Sequence, residues 1–309
     1  MKNIYIRKYV LLASCLVLFA VYIALVFTKG KNNVKNLEVQ DIDRIELSSQ
    51  GKEIIFEMKN GEWKTGEKLY KAESSKISSI EAALKSLKLL GKASLSLTEA
   101  NAERYGLNEE AKITAKAFFE GKIVRTLEIG KNTSAGGQAY VMIDDKDTVY
   151  IASGALNTTF SLDEKDARSK DLWSLESSKV NAISSRVDGE VFDLVFESSA
   201  VDPSSLEKSS WKIVENKKEM EADESKIQTF INDISKIRVQ EWLEEGSPIP
   251  RSIPYVKMTV YQGVDSYTIS VFGDENDEDF TGFIEGGDSF ILSKYQVQKL
   301  AKKVSSFVK

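Results

Sequence analysis

Two stretches of sequence decide how this chain folds: ESSKISSIEAALKSLKLLG at positions 73–91 and DESKIQTFINDISKI at positions 223–237. In both stretches apolar residues recur every three or four positions, which is the spacing of a helix that buries one face. Both stretches also occupy the same place in a longer order of features. The chain therefore carries one structural unit twice, and this duplication sets the expected fold.

The features that flank the two helices follow the same order in each copy. In the first copy a turn and a tryptophan precede the helix and a second turn follows it, at Asn60-Gly61, Trp63 and Glu120-Gly121. In the second copy the same features are Asp188-Gly189, Trp211 and Gln262-Gly263. Such turns between alternating strands indicate hairpins. We predict an α+β fold, with two tandem modules of antiparallel sheet and a helix packed on each.

The repeat also sets the expected boundaries. We predict module 1 over residues 37–160 and module 2 over 171–309, with a hinge at the polar segment 161–170. A closing helix is expected from about 293 to 307. The last strands of the two modules align, with the matches Gly121 to Gly263, Leu127 to Ile269, Tyr140 near Phe283 and Tyr150 near Phe290.

The N-terminal segment predicts a membrane anchor. Residues 9–27 are apolar apart from Ser14 and Cys15, and this length spans a bilayer as a helix. We predict a cytoplasmic tail at 1–8, a transmembrane helix at 9–28 and a stalk at 29–36, with the body outside the cell membrane. Two alternatives remain open: a cleaved signal peptide, and a lipoprotein processed at the Leu12-Ala13-Ser14-Cys15 match.

Composition narrows the classes of function. The chain has no histidine, and its one cysteine lies in the apolar segment, so the body lacks the commonest general base, zinc ligand and thiolate nucleophile. Residues 37–309 hold 36 basic and 47 acidic residues, a net charge of −11. A body this acidic disfavours a nucleic-acid partner. We predict that the protein is not an enzyme.

Local motifs were weighed against plainer interpretations. Residues 274–285 have the ligand spacing of a calcium loop but lack its glycine, and a solvated hairpin loop is the favoured interpretation. Residues 130–137 are rich in glycine but lack the order of a phosphate loop. No Ser-Lys dyad or carboxylate pair is singled out. We therefore assign no catalytic, cofactor-binding or metal-ligating residue and expect no cofactor.

Three other features have structural interpretations or suggest a partner. The four tryptophans are interpreted as core anchors: Trp63, Trp173, Trp211 and Trp242. The N-glycosylation sequons at Asn132 and Asn157 would carry no meaning if the protein is bacterial. The proline-rich segment 246–254 and the loop 131–138 are the irregular places where we expect a partner to dock.

The order Tyr105-Gly106-Leu107, Leu-x-Ile-Gly at 127–130, Ala139-Tyr140-Val141 and Val149-Tyr150 resembles a bacterial family called domain of unknown function 4340. Trp63 and the helix after it fit the same resemblance, whereas module 2 has Pro248, Pro250 and Pro254 in place of Tyr-Gly-Leu. Members look like single-span envelope proteins encoded beside ABC transporters of the gliding-motility type. The resemblance implies an accessory role and carries over no catalytic residue.

These observations lead to two functional hypotheses. The first is a non-enzymatic, membrane-anchored envelope protein that serves as an accessory or scaffold component of an ABC-type transporter or motility-related complex, with ABC transporter subunits as partners. The second is an extracytoplasmic module that binds a lipid or a glycan. The missing histidine and the absence of a body cysteine weigh against a third class, an envelope hydrolase.

Overall fold

The structure is a computed structural model that describes residues 13–14, 16–21, 35–39, 41–144, 146–199, 208–244, 246–250 and 252–309. The chain divides into two compact units, the first ending at Ser169 and the second running from Lys170 to Lys309. This boundary falls at the end of the segment 161–170, which we predicted as a hinge. Each unit has its own hydrophobic core.

From residue 35 to its end, the described part of the first unit holds ten strands and four helices. The strands are β1 Lys35–Glu38, β2 Arg44–Ser49, β3 Lys52–Lys59, β4 Glu62–Thr65, β5 Tyr70–Lys71, β6 Ser86–Ser94, β7 Ile113–Phe119, β8 Lys122–Asn132, β9 Gln138–Ile143 and β10 Val149–Ser153. The helices are α1 Ser74–Lys85, α2 Glu99–Tyr105, α3 Leu156–Phe160 and α4 Glu164–Ala167. The strands form one antiparallel sheet in the order β1-β6-β10-β9-β8-β7-β2-β3-β4-β5.

The second unit holds nine strands and two α-helices among its described residues. The strands are β11 Val180–Val187, β12 Glu190–Ser199, β13 Lys208–Glu215, β14 Lys218–Glu221, β15 Glu241–Trp242, β16 Val256–Gln262, β17 Asp265–Phe272, β18 Asp279–Ile284 and β19 Ser289–Ser293. The helices are α5 Glu224–Ile234 and α6 Lys294–Leu300. The sheet order is β14-β13-β12-β11-β16-β17-β18-β19-β15.

The two sheets share one topology. Read from the β15 edge, the second order repeats the first without β1, so that β15 corresponds to β6 and β14 to β5. The helices correspond as well, because α1 buries Ile77, Ile80 and Leu84 where α5 buries Ile227, Phe230 and Ile234. The predicted antiparallel sheets with packed helices are confirmed.

The end of each unit is fastened in the same way. The amide of Glu73 donates to the carbonyl of Ala167 at 2.8 Å, and the amide of Asp223 donates to the carbonyl of Phe307 at 2.8 Å. The last helices correspond too, α3 with α4 in the first unit and α6 with the 3-10 turn Val304–Ser306 in the second. Residues 164–169, within the predicted hinge, are therefore part of the first unit.

Two predicted helices are too long. The helix predicted over 73–90 ends at Lys85, because residues 86–94 form β6 and hydrogen-bond to β1 and β10. Leu87 and Leu89 are buried on one side of that strand, a period of two that the helical pattern had hidden. The closing helix predicted over 293–307 is α6 followed by the separate 3-10 turn at 304–306.

The predicted transmembrane helix at 9–28 lies largely outside the described residues, as do two of the four residues of the lipoprotein match and most of the stalk. Its described part, residues 13–14 and 16–21, is helical. Within the ranges that the structure describes, we find no helix with the length and apolar character needed to cross a bilayer.

Candidate functional site

The residues that carry the family resemblance meet in one small cluster of the first unit. Helix α2 ends at Gly106, which adopts φ of 68°, and the amide of Leu107 then donates to the carbonyl of Ala102 at 2.8 Å. A left-handed residue at this place is typical of a helix end and favours glycine. The ring of Tyr105 lies 4.8 Å from the ring of Tyr140. Tyr-Gly-Leu is therefore a helix stop packed on the sheet.

Gly130 completes this cluster from β8. A Cβ atom at Gly130 would lie 2.1 Å from the carbonyl oxygen of Tyr105, so only glycine allows the two backbones to approach. The carbonyl of Gly130 accepts a hydrogen bond of 3.0 Å from the side chain of Asn157. The glycine-rich stretch 130–137 thus begins as a strand and continues as a turn, where the amide of Gly136 donates to the carbonyl of Thr133. Its glycines serve backbone packing and turning.

Each unit has a concave surface at the corresponding place, between its first hairpin and the helical segments near its C-terminal end. The first cleft has a volume of about 470 Å³ and lies between the β2–β3 turn and residues 160–166. The second cleft has a volume of about 600 Å³ and lies between Asp188, in the β11–β12 turn, and residues 294–306. The loop 275–276 forms a further wall of the second cleft. The duplication has therefore preserved a cleft as well as a sheet.

The two clefts differ in charge. Four carboxylates and one lysine line the first cleft: Glu53, Asp163, Glu164, Asp166 and Lys52. The ammonium of Lys52 lies 3.9 Å from Asp163, and both side chains are exposed. Three lysines and two carboxylates line the second cleft: Lys294, Lys302, Lys303, Asp188 and Glu275. The first cleft is therefore acidic, whereas the second has a small excess of positive charge within an acidic body.

Tyr255 and an ion pair form one wall of the second cleft. Partial burial raises the pKa of the Tyr255 phenol, and the nearby carboxylates Glu275 and Asp188 raise it further. The ammonium of Lys303 lies 3.1 Å from Asp188, and this hydrogen-bonded pair raises the pKa of Lys303. Tyr255 therefore remains a neutral hydrogen-bond donor at the mouth of the cleft at neutral pH.

The acidic loop 274–279 is a hairpin turn beside this cleft. The amide of Asp277 donates to the carbonyl of Asp274 at 2.9 Å, and a side-chain oxygen of Asp277 accepts from the amide of Asp274 at 2.8 Å. Residues 279–284 then run straight as β18, with the ring of Phe280 buried against Tyr255. An extended strand carries positions 280, 282 and 285 apart. Residues 274–285 therefore have the spacing of a calcium loop but not its shape. They form a hairpin turn followed by a strand, in agreement with the favoured interpretation as a hairpin loop.

The tryptophans lie where we predicted. Trp173, Trp211 and Trp242 are 7–8% exposed and belong to the core of the second unit. The indole nitrogen of Trp173 donates to the carbonyl of Ile234 at 2.7 Å. Trp63 is half-buried and donates to Glu81 on α1 at 3.0 Å. The interpretation of these side chains as core anchors is confirmed.

Sequence reasoning missed both clefts and one buried charge. The cleft residues come from segments far apart in the chain, and none belongs to a recognisable motif. Arg125 on β8 is 5% exposed, and its Nε and Nη1 atoms find no hydrogen-bond partner within the described ranges. Burial lowers the pKa of Arg125, while Asp144 opposes that shift. An arginine among strand residues carries no sequence signal of its burial.

The fold and its clefts define a duplicated α+β protein, with two antiparallel sheets of one topology and a family motif that serves packing. The family model for domain of unknown function 4340 matches residues 63–252, which is more than half of the chain, and the protein belongs to that family. The matched region begins at β4 and extends into the second unit, so it includes parts of both repeats. No curated protein and no solved structure matches the chain.

Proposed function

We propose that this protein is a non-enzymatic, membrane-anchored envelope protein and an accessory or scaffold component of an ABC-type transporter or motility-related complex. Residues 9–27 would anchor it in the cell membrane, with the N-terminus in the cytoplasm and both units outside. The two units would present surfaces to transporter subunits. The protein itself would supply neither a catalytic group nor the energy for transport.

One observation carries the proposal. The residues by which the chain resembles its family, Tyr105, Gly106 and Gly130, are committed to backbone and ring packing inside the first unit. In an enzyme family we would expect shared residues to converge on a cleft with their reactive groups exposed. A shared motif that only maintains a fold is typical of a protein whose function lies in its surfaces.

The membrane anchor can be tested by fractionation. We expect the full chain to remain with the membranes after an alkaline carbonate wash, and a variant without residues 9–27 to be released. A variant without residues 29–34 is the matched control, because it loses polar chain and keeps the apolar segment. Retention of the 9–27 deletion in the washed membranes would rule out this anchor.

The partner can be tested by affinity purification of the full-length protein from its native membranes in mild detergent. We expect the ATPase and membrane subunits of an ABC transporter to copurify with it. A bait made of residues 1–36 alone controls for partners that bind only the anchor. Recovery of the full chain without any ABC transporter subunit would refute the accessory role.

A second function is favoured by the second cleft. An extracytoplasmic binding module needs a concave surface with aromatic and hydrogen-bonding groups, and the second cleft combines Tyr255 and Phe280 with polar side chains. Copurification of a lipid or a glycan with the isolated protein, in place of transporter subunits, would support this alternative.

A further inference from the structure

We propose that the second cleft binds an anionic ligand that carries hydroxyl groups, in chemical terms a polyol phosphate. This inference goes beyond the accessory role and does not depend on any transporter partner. It rests on the charges of the cleft, on its hydrogen-bonding groups and on the contrast with the corresponding cleft of the first unit.

The charges of the second cleft leave two ammonium groups for a ligand. Lys303 is occupied by Asp188 at 3.1 Å. Lys302 forms no ion pair with any residue of the described ranges, and its side chain is half-buried. Lys294 lies 3.9 Å from Glu278, whose side chain is 86% exposed, so that pair is weak. Lys294 and Lys302 are therefore the ammonium groups that would meet an anion, and the carboxylate of Glu275 is the remaining charged group of the lining.

The remaining groups of the cleft suit hydroxyls. Gln298 and Asn276 offer amides, and Ser305 and Ser306 offer hydroxyls, all of which both donate and accept hydrogen bonds. The phenol of Tyr255 stays protonated and donates. A ligand that combines a phosphate with neighbouring hydroxyls could use the lysines and these neutral groups together.

Lys302 also connects the cleft to a neighbouring depression. This second hollow has a volume of about 310 Å³, and Lys302 and Ser306 line both surfaces. Its other lining residues are Ser225, Lys226, Thr229, Phe230, Asp233 and Phe307. Lys302 thus lines both hollows, so a phosphate bound by it could carry a ligand that extends into either one.

The first cleft provides an internal comparison. It occupies the corresponding place in the repeat but is lined by four carboxylates and only Lys52. Like charges would repel a phosphate there. We therefore expect the anion to distinguish the two units, and the first cleft to remain empty when the second is filled.

The test is a calorimetric titration of the full-length protein in nonionic detergent with sn-glycerol 3-phosphate, inorganic phosphate and glycerol. We expect glycerol 3-phosphate to bind more tightly than inorganic phosphate and glycerol not to bind. Lys302→Gln should weaken binding about tenfold, the loss of roughly one charge-assisted hydrogen bond. The matched control is Lys299→Gln, which changes a lysine that contacts the ring of Tyr295 and does not line the cleft.

A second experiment distinguishes two sources of the glycerol phosphate group, a lipid headgroup and a soluble ester. Micelles doped with phosphatidylglycerol present the glycerol phosphate group as a lipid headgroup. Binding of these micelles that Lys302→Gln abolishes would support a lipid source, whereas binding of the free ester alone would support a soluble one. The proposal is overturned if wild-type protein binds neither form, or if Lys302→Gln and Lys299→Gln bind equally well. Because no transporter is present, failure here would leave the accessory role standing.

Discussion

At the scale of single residues, the close backbone contacts of the family motif are possible because the residues at positions 106 and 130 are glycines. Gly130 lies against the carbonyl of Tyr105, and Gly106 lies against the backbone of Lys131, where added Cβ atoms would approach to 2.1 and 2.8 Å. Such distances cannot be relieved by a side-chain rotation, because the opposing atoms belong to the backbone. The helix end and the strand are held together only as long as both residues are glycine.

Gly130→Ala should therefore destabilise the first unit by about 2 kcal/mol or more, since backbone must move to admit the methyl group. Gly91→Ala is the matched control: Gly91 lies on β6 in the same sheet, and an added Cβ there would meet nothing within 4 Å. Thermal unfolding followed by circular dichroism compares the two variants. Equal melting temperatures for both variants would contradict the role of the close approach.

Tyr255 gives a prediction for alkaline pH. Because its folded-state pKa is raised above the ordinary value of 10.0, the protonated phenol is favoured by folding. Its contribution to stability is fully present below about pH 10 and is lost as pH rises through the folded-state pKa. Wild-type protein should lose more stability than Tyr255→Phe over that interval.

Ultraviolet titration of the phenolates provides the measurement for this prediction. Tyr255→Phe should remove a step on the alkaline side of the wild-type titration curve. If the wild-type and Tyr255→Phe titration curves differ by no step on the alkaline side, the environment of Tyr255 has no such effect.

At the scale of elements, the two copies form corresponding hairpin turns from different local sequences. The β7–β8 turn places both Glu120 and Gly121 at positive φ, whereas the β16–β17 turn has its glycine, Gly263, in the first position, followed by Val264. The glycines that align in sequence are thus offset by one place in the turns. A bulge beside Arg125 on β8 absorbs this difference, so that Leu127 and Ile269 still take corresponding places.

The two core helices differ in how they begin. The side chain of Asp223 accepts hydrogen bonds from the amides of Ser225 and Lys226, at 3.1 and 3.2 Å, and so caps α5. Glu73, in the same place before α1, makes no such cap. Asp223→Ala should cost the second unit about 1 kcal/mol. Glu73→Ala is the matched control and should cost clearly less.

The measurement is the urea concentration at which each variant unfolds, followed by far-ultraviolet circular dichroism. A shift for Glu73→Ala as large as that for Asp223→Ala would contradict the assignment of the cap to Asp223. Asp223→Asn should retain most of the stability, because an amide oxygen can accept the same two hydrogen bonds.

At the scale of the whole molecule, each unit has a main hydrophobic core of its own among the described residues. The core of the second unit includes Phe192, Phe230 and Phe307. The centre of the Phe307 ring lies 5.7 Å from that of Phe192 and 5.0 Å from that of Phe230. The core of the first unit includes Phe160, the last residue of α3. A substitution in either core should therefore destabilise mainly the unit that contains it.

Phe307→Ala should open a cavity and destabilise the second unit by about 3–5 kcal/mol. Hydrogen exchange should then show lost protection in β16 to β18. Phe160→Ala is the matched variant, and its loss of protection should fall in β7 to β9. Equal loosening of both sets of strands by either variant alone would contradict the presence of two independent cores.

Much of the fold could be predicted because its signals are local. Period-two and helical spacing, and turn pairs such as Asn60-Gly61, depend on neighbouring residues only, so the repeated order of hairpins and the starts of both core helices could be predicted. Prediction erred at 86–94, where leucines fit either period. There the hydrogen bonds to β1 and β10, distant in sequence, decided in favour of a strand.

The sequence by itself determined the duplication, the antiparallel α+β class and the family, because spacing and motif order are properties of the chain alone. Only the tertiary structure decided what the motif residues do and where the clefts lie. Gly130 packs against the carbonyl of Tyr105, and Lys302 lines the same cleft as Tyr255. In both cases the residues come from segments that are distant in sequence. Such contacts depend on how the strands pair and how the helices pack on the sheet, and no local sequence pattern specifies which distant segments will meet.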